Sequence, residues 1–131
     1  FALPESKLKK PNSISFKGKV YVLTNGGSFS ASSIISSNLK GSKRAVFVGE
    51  ETGGAYNGCI AGTMPIFTLP QSKLKVRFGL GLVQPYYKTE LDGRGILPDV
   101  EVIPAIEDRI KGNDPEINWV LDDIKGQHQS K

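Results

Sequence analysis

The chain has 131 residues, of which 17 are basic and 13 acidic, so its formal charge is +4, and 38% of its residues are hydrophobic. This is the size and composition of one soluble globular domain that can bury a core. No apolar run approaches the roughly 18 residues of a membrane span, which excludes a transmembrane segment. A single histidine and a single cysteine cannot supply a Cys/His zinc site, and no metal or cofactor is expected.

The basic excess lies mostly before the first predicted strand. Five lysines stand between Lys7 and Lys19, in a polar stretch that also contains Pro4 and Pro11. We interpret residues 1–17 as a basic lead-in or linker. A nucleic-acid-binding protein usually adds a recognisable motif to such a charge, and none is present, so no nucleic-acid partner is expected.

Residues 19–49 predict a strand, a helix and a second strand. Residues 19–24 and 44–49 are short apolar runs typical of buried strands, and a helix pattern runs from Ser30 to Lys40. Such a unit in one sheet implies parallel strands. The apolar side of the helix is expected to consist of Ile34, Ile35 and Leu39.

The middle of the chain predicts a glycine-rich loop followed by a β-hairpin. Residues 49–62 contain five glycines and no P-loop signature. Two strands, 64–69 and 73–78, flank a turn at residues 70–72, and alternation in the second strand predicts one buried and one solvated side. The buried side is expected to carry Leu74, Val76 and Phe78. Cys59, in the loop, is interpreted as a small loop or core residue.

The last third predicts short elements that close one mixed α/β domain. Residues 82–87 form a weak strand because of Pro85, residues 92–95 a turn, and residues 100–103 the last strand. Helices follow over 104–111 and from Asn113 or Asp114 to Lys125, with Pro115 at the first helical position. The core face of the final helix is expected to consist of Ile117, Val120, Leu121 and Ile124. Residues 126–131 read as a polar tail.

The first strand and the helix are joined by Asn25-Gly26-Gly27-Ser28-Phe29-Ser30-Ala31-Ser32. A serine at the start of a helix lies at its positive end, beside backbone N–H groups that have no helical partner. That setting suits a nucleophilic serine whose reaction creates an oxyanion. The alternative is that Ser28 or Ser30 is an ordinary helix N-cap.

With this element, five short motifs occur in an order that resembles the C-terminal processing, or tail-specific, serine peptidases and their tricorn-like relatives. The resemblance extends from about residue 16 to residue 125. The motifs are Ser28-Phe29-Ser30-Ala31-Ser32, Gly49-Glu50-Glu51-Thr52, Leu69-Pro70-Gln71-Ser72, Gly93-Arg94-Gly95-Ile96-Leu97-Pro98-Asp99 and Asp114-Pro115.

The resemblance implies a ClpP/crotonase-like β-β-α superhelix, a protein or peptide substrate, and Ser30 as the nucleophile. It also implies that the Ala31 N–H is one oxyanion donor and that Thr52, Gly53 and Gly54 form part of the cleft wall. Bacterial family members usually act outside the cytoplasm, so a periplasmic or cell-surface location is expected.

One departure concerns the general base. The tail-specific branch places a lysine where this chain has Ala55, and alanine cannot accept a proton. The Thr-Gly-Gly form resembles the tricorn-like branch instead, where a histidine upstream of the serine is the base. In that branch an acidic residue near the Gly-x-Gly turn helps to orient the machinery. Asp92 is the candidate and Glu90 the alternate, and each can equally be an ordinary turn residue.

A second departure is that no histidine and no Arg-x-Asn-x-Gly-Gly-type segment precede Ser30. The only histidine, His128, reads as a solvated tail residue. We therefore expect residues 18–125 to be the C-terminal part of a catalytic domain whose upstream remainder is its partner. Because that remainder would supply the base and the second oxyanion donor, the isolated chain is expected to be weak or inactive.

Two other functions stay open at this point. Ala55 and the missing base fit a non-catalytic relative that binds peptides or glycans. The wider crotonase superfold also includes acyl-CoA enzymes, which need no serine nucleophile.

Overall fold

In a computed structural model, Lys10 and residues 12–126 are described. Strands and helices alternate irregularly along this part of the chain, in the mixed α/β arrangement that the sequence predicts. The elements are β1 Tyr21–Thr24, α1 Ala31–Gly41, β2 Val46–Gly49, β3 Cys59–Ala61, β4 Ile66–Thr68, β5 Lys75–Arg77, β6 Gly81–Val83, β7 Val100–Glu101, α2 Ile106–Lys111 and α3 Pro115–Ile124.

A three-stranded parallel sheet forms the centre of the fold, in the order β1-β2-β7. Tyr21 pairs with Val46, and the predicted parallel strand–helix–strand unit is confirmed. The apolar run of β2 is buried because neighbouring strands flank it on both sides. Phe47 and Val48 have no exposed surface, and Ile96 joins them in the core. The sheet therefore fixes the carboxyl end of β1, where the serine-rich segment begins.

A second, two-stranded sheet pairs β3 with β6 in antiparallel register. The prediction placed β3 inside a loop, because its three residues lie between the glycines 58 and 62. Cys59 pairs with Val83 and Ala61 with Gly81, so these four residues share one face of the sheet. Ile60 and Leu82 lie on the other face, where they are more than half exposed.

The predicted hairpin exists, but its predicted buried side is wrong. Strands β4 and β5 pair antiparallel, and the Phe67 ring stacks on the Phe78 ring with centroids 5.2 Å apart. No residue of either strand is buried within the described part of the chain, and Leu74 is 65% exposed. The alternation predicted the apolar face correctly, but no described element covers it. This face, which we call the hairpin face, consists of Phe67, Leu69, Leu74, Val76 and Phe78.

The buried face of α1 also differs from the prediction. Its buried residues are Ser33, Ser36 and Ser37, whereas Ile35 is 61% exposed. The Ser37 hydroxyl lies 2.8 Å from the Ser33 carbonyl oxygen and 2.7 Å from the Tyr56 carbonyl oxygen, so its single proton has an acceptor and this buried group is satisfied. Small side chains let the backbone of the following loop lie directly against this helix. The predicted packed side was therefore wrong for Ile35, while Ile34 and Leu39 are half-buried.

Helix α3 begins as the sequence predicts but packs differently. The Asp114 side chain accepts a hydrogen bond from the Ile117 N–H at 2.9 Å, and Pro115 takes the first helical position. Leu121 remains 46% exposed and Ile124 remains 64% exposed, so the predicted core face is not buried. The buried residue is Asp123, which binds Lys19 and Tyr21 at the start of β1. None of the helices in the described residues is long and apolar enough to cross a bilayer.

The end of α1 carries a residue in an unusual conformation. Lys43 donates its N–H to the Lys40 carbonyl at 3.0 Å, and Arg44 donates to the Leu39 carbonyl at 2.9 Å. This is the Schellman pattern, in which the residue after the C-cap takes a left-handed conformation. Lys43 has φ 54°, at a position usually occupied by glycine.

Candidate active site

The segment between β1 and α1 is a tight turn held by its own side chains. The Asn25 carboxamide oxygen accepts from the Gly27 N–H at 2.8 Å, and the Asn25 carbonyl accepts from the Ser28 N–H at the same distance. The Ser28 hydroxyl accepts in return from the Asn25 N–H at 3.2 Å. Asn25 and Ser28 thus fix the chain direction just before Ser30.

Ser30 has a backbone conformation that L-residues rarely adopt. Its φ is 59° and its ψ is −115°, which is the conformation of the first central residue of a type II′ turn. Glycine dominates that position because a Cβ is strained there. Strained non-glycine residues cluster at active sites, and a sharp strand-to-helix turn is the device that exposes the nucleophile of α/β-hydrolases.

The Ser30 hydroxyl is not used as a helix cap. Its side chain makes no capping hydrogen bond, and its closest polar neighbour is the Cys59 thiol, 3.9 Å from Oγ. Ser32 instead takes the structural role, since its hydroxyl accepts from the Phe29 N–H at 2.7 Å and donates to the Phe29 carbonyl. The ordinary N-cap explanation therefore does not account for Ser30.

The electrostatic setting at Ser30 favours negative charge. Ala31 is the first residue of an 11-residue helix, so its N–H has no acceptor within the helix. No acidic residue lies in the first turn, and the positive end of the helix dipole is not neutralised there. An oxyanion formed beside Ser30 would therefore meet at least one free N–H and a favourable dipole.

Ser30 opens into an apolar cavity of about 260 Å³ between α1 and the β3–β6 sheet. Among the described residues, Ser30 and Cys59 supply its only polar side chains, and Ala31 lies beside them. The other walls are apolar: Ile34, Ile35, Ala61 and Val83. The described residues bring no titratable group other than the thiol into the cavity, so they can bind apolar groups there but supply no general base.

The predicted cleft residues Thr52, Gly53 and Gly54 pack against the turn that carries Ser30. A Cβ on Gly53 would lie 2.1 Å from the Gly26 carbonyl oxygen, and one on Gly54 would lie 1.9 Å from the Ser33 hydroxyl oxygen. The Gly54 N–H also donates to the Ser28 carbonyl at 3.1 Å. Only glycine allows so close an approach. These residues do not line the apolar cavity, so their role as a cleft wall stays a prediction, with Gly53 exposed.

Thr52 in turn joins this segment to the motif at residues 93–99. Its buried hydroxyl donates to the Gly54 carbonyl and accepts from the Ile96 N–H, both at 2.8 Å. Glu51 binds Arg94 through two hydrogen bonds of 2.9 and 2.7 Å. The Arg94 guanidinium, and then the Gly95 N–H, hold the pKa of the Glu51 carboxyl below its usual value. Two motifs that are distant in sequence thus brace the Ser30 turn together.

Asp99, which ends the same motif, fixes β2 and the end of α1. It accepts from the Phe47 N–H at 2.8 Å and binds the Lys40 ammonium. Burial alone would raise the pKa of Asp99, but Lys40 and the Phe47 N–H together keep it below its usual value. The Lys40 ammonium also lies 5.4 Å from the centre of the Phe47 ring. The Lys40 ammonium therefore has a structural role, in which it is bound to Asp99.

The remaining predicted site residues lie outside the cavity. Asp92 is exposed in its turn, where it accepts a 3.4 Å hydrogen bond from the Asn57 side chain. Glu90 is exposed next to it, and the catalytic role of either carboxylate stays a prediction. Ala55 is half-buried beyond Gly54, and His128 lies outside the described residues.

Sequence reasoning missed the residues that complete the cavity. Cys59 lies at Ser30 rather than in an inert loop, and Val83 is its direct partner on the neighbouring strand. The sequence signal for the strand that carries Cys59 is a three-residue apolar run between two glycines. This run is shorter than most strands, so it did not predict one. The pairing of β3 with β6 spans the whole intervening hairpin and leaves no trace in sequence periodicity.

Comparison with known protein families identifies the class of protein to which this chain belongs. The family model that matches the chain describes peptidases, and it covers residues 4–102. The chain therefore belongs to peptidase family S41, the C-terminal processing peptidases, which confirms the predicted family. The match does not distinguish the tricorn-like branch from the others. No curated protein matches the chain.

Proposed function

We propose that this chain carries the nucleophile of a serine endopeptidase. The Ser30 oxygen attacks the carbonyl carbon of a peptide bond, and the Ala31 N–H stabilises the resulting oxyanion. Collapse of this intermediate expels the leaving amine and leaves the acyl group on Ser30, from which water releases it. The observation that carries the proposal is the strained conformation of Ser30, whose hydroxyl faces the cavity and is not used to cap the helix.

The proton from Ser30 needs a base that the described residues do not place beside it. Lys40 is bound to Asp99, and the cavity that contains Ser30 includes no amine, imidazole or carboxylate. We propose that a histidine upstream of the serine in the complete protein is the base, as in the tricorn-like branch, and that a second oxyanion donor comes with it. General-base assistance is worth about 10²–10⁴ in rate. An oxyanion donor adds about 10²–10³. The isolated chain should therefore be nearly inactive.

The wider organisation belongs to the same proposal. Family membership supports a protein or peptide as substrate and a partial ClpP/crotonase-like superhelix as the fold. Our proposal also takes residues 18–125 as the C-terminal part of the catalytic domain. Residues 1–17 would then be a linker and residues 126–131 a tail. A periplasmic or cell-surface location follows only from the resemblance, and cell fractionation of the source organism tests it.

The test is covalent labelling of the complete native protein with a small alkyl fluorophosphonate, followed by peptide mapping with mass spectrometry. We expect one adduct, on Ser30, and none in the S30A variant. S32A is the matched control, because Ser32 is two residues away but its hydroxyl serves the Phe29 backbone. An adduct on Ser30 would also exclude an acyl-CoA enzyme. A folded complete protein that shows no adduct would contradict the proposal and favour a peptide- or glycan-binding relative.

A further inference from the structure

The cavity beside Ser30 has a composition that selects its ligand. Apart from Ser30, the one polar side chain that the described part of the chain brings to it is the Cys59 thiol, a weak hydrogen-bonding group that lies 3.9 Å from the Ser30 hydroxyl. A charged or amide-bearing side chain placed there would lose its hydration without gaining a partner, and such unpaired burial is unfavourable. An aliphatic or aromatic group gives up no hydrogen bonds to water when it enters, and it covers the apolar walls of the cavity, which are otherwise in contact with solvent.

The size of the cavity fits one large side chain. An apolar cavity of about 150 Å³ takes up benzene. The cavity here is about 260 Å³ and open on one side, so a branched aliphatic chain or a phenyl ring fits with room to spare. Its depth is set by the face of the β3–β6 sheet. Cys59 and Val83 are direct cross-strand partners there, and next to them Ala61 faces Gly81, which has no side chain.

The position of the cavity relative to Ser30 fixes which substrate residue enters it. The nucleophile must lie about 3–3.5 Å from the carbonyl carbon that it attacks. The side chain of the residue that carries this carbonyl begins only two bonds away. We propose that the cavity binds an apolar side chain of the residue whose carbonyl Ser30 attacks, and that Val83 and Cys59 set the largest side chain admitted. This inference rests on the proposed function of Ser30.

The experiment uses the complete native protein and a series of N-acetyl amino acid p-nitrophenyl esters with alanine, valine, leucine, phenylalanine, aspartate and lysine. We expect kcat/KM for leucine and phenylalanine to exceed that for aspartate and lysine by about tenfold or more, since a charge that enters an apolar pocket loses its hydration without gaining a partner. V83F should fill the cavity and lower kcat/KM for leucine and phenylalanine at least tenfold, with alanine nearly unchanged. V83A should shift the preference towards phenylalanine.

L82F is the matched control, because Leu82 precedes Val83 on the same strand but lies on the opposite, exposed face. It should leave the order of the esters unchanged. Labelling of Ser30 by the small fluorophosphonate shows that each variant is folded and competent. If Ser30 is labelled but V83F and V83A hydrolyse the series as L82F does, the inference is wrong while the proposed function stands. A preference for the charged esters would likewise refute the inference and leave the proposed function standing. A folded protein in which Ser30 is not labelled would refute both the inference and the proposed function.

Discussion

The conformation of Ser30 predicts an unusual effect of substitution on stability. At φ 59° and ψ −115°, any residue with a Cβ is strained, and such strain amounts to about 1–3 kcal/mol. Glycine removes it but costs about 0.5–1 kcal/mol through the greater freedom of the unfolded chain. The hydroxyl makes only a weak contact with Cys59, so its loss matters little. The difference between these two terms makes S30G more stable than S30A by up to about 2.5 kcal/mol.

The corresponding variants at Ser32 should show the opposite order of stability, with S32G less stable than S32A. Ser32 lies inside the first turn of α1, where glycine is about 1 kcal/mol less favourable than alanine. Both substitutions there remove the same two hydrogen bonds to Phe29. The difference in unfolding free energy between S32G and S32A therefore reports only the conformational preference of the backbone.

Thermal and urea denaturation of the four variants in the complete protein measure both differences. The reasoning fails if S30G is less stable than S30A, as S32G should be relative to S32A. Such a result would mean that Ser30 carries no backbone strain, and the strain could then not be part of the argument for its function. Both variants at position 30 should lack labelling by the fluorophosphonate, so stability and activity are read separately.

Three further substitutions test the surroundings of the site. K43G should stabilise the protein by about 1 kcal/mol in thermal melts, because Lys43 has a positive φ at the end of α1; a lower melting temperature would contradict this. G53A should slow labelling of Ser30 by about 10²-fold, since its Cβ would meet the Gly26 carbonyl and displace the turn, whereas G26A, whose Cβ meets nothing within 4 Å, should not. The pKa of Glu51 is lowered mainly by Arg94, so this ion pair stabilises the fold above the ordinary glutamate value of 4.5 and less as the pH falls below it. Stability measured between pH 3 and 6 should fall less steeply for E51Q than for the unmodified protein, and equal slopes would refute this role.

The sequence predicts the elements whose signals are local. The strand before Asn25, the helix after Ser30 and the second strand follow from one continuous pattern of apolar residues and glycines. The start of α3 at Asp114 and Pro115 is equally local, because a capping side chain and a proline act on their own turn. The resemblance adds Ser30 as the candidate nucleophile, and its strained conformation supports that hypothesis independently.

The packing could not be predicted in the same way. Hydrophobicity favours Ile34 and Ile35 as the buried side of α1, yet the loop at Gly54 approaches the helix so closely that only small side chains fit there, and these are serines. The two isoleucines line the cavity instead. Close approach of backbones is a property of the assembled fold, and a hydrophobic pattern along one helix carries no information about it.

The placement of Cys59 was missed for a related reason. Its position depends on a pairing with Val83, which lies on the far side of the β4–β5 hairpin in the chain. Three-residue strands give too few alternating positions to define a face or a register. The same limit applies to Asp123, whose burial beside Lys19 and Tyr21 joins the two ends of the described chain.

The hairpin face has a consequence for how this chain behaves in concentrated solution. Its five apolar side chains are between 41 and 65% exposed, while Lys75 and Arg77 lie on the reverse side and Lys73 stands just before strand β5. No acidic residue occurs between residues 52 and 89. Mutual repulsion of these cations should oppose association of two such hairpins through their apolar faces. Added salt screens that repulsion within about 10 Å at 0.1 M. Colloidal stability of the free chain should therefore be highest at low ionic strength and well below its isoelectric point near 9.2.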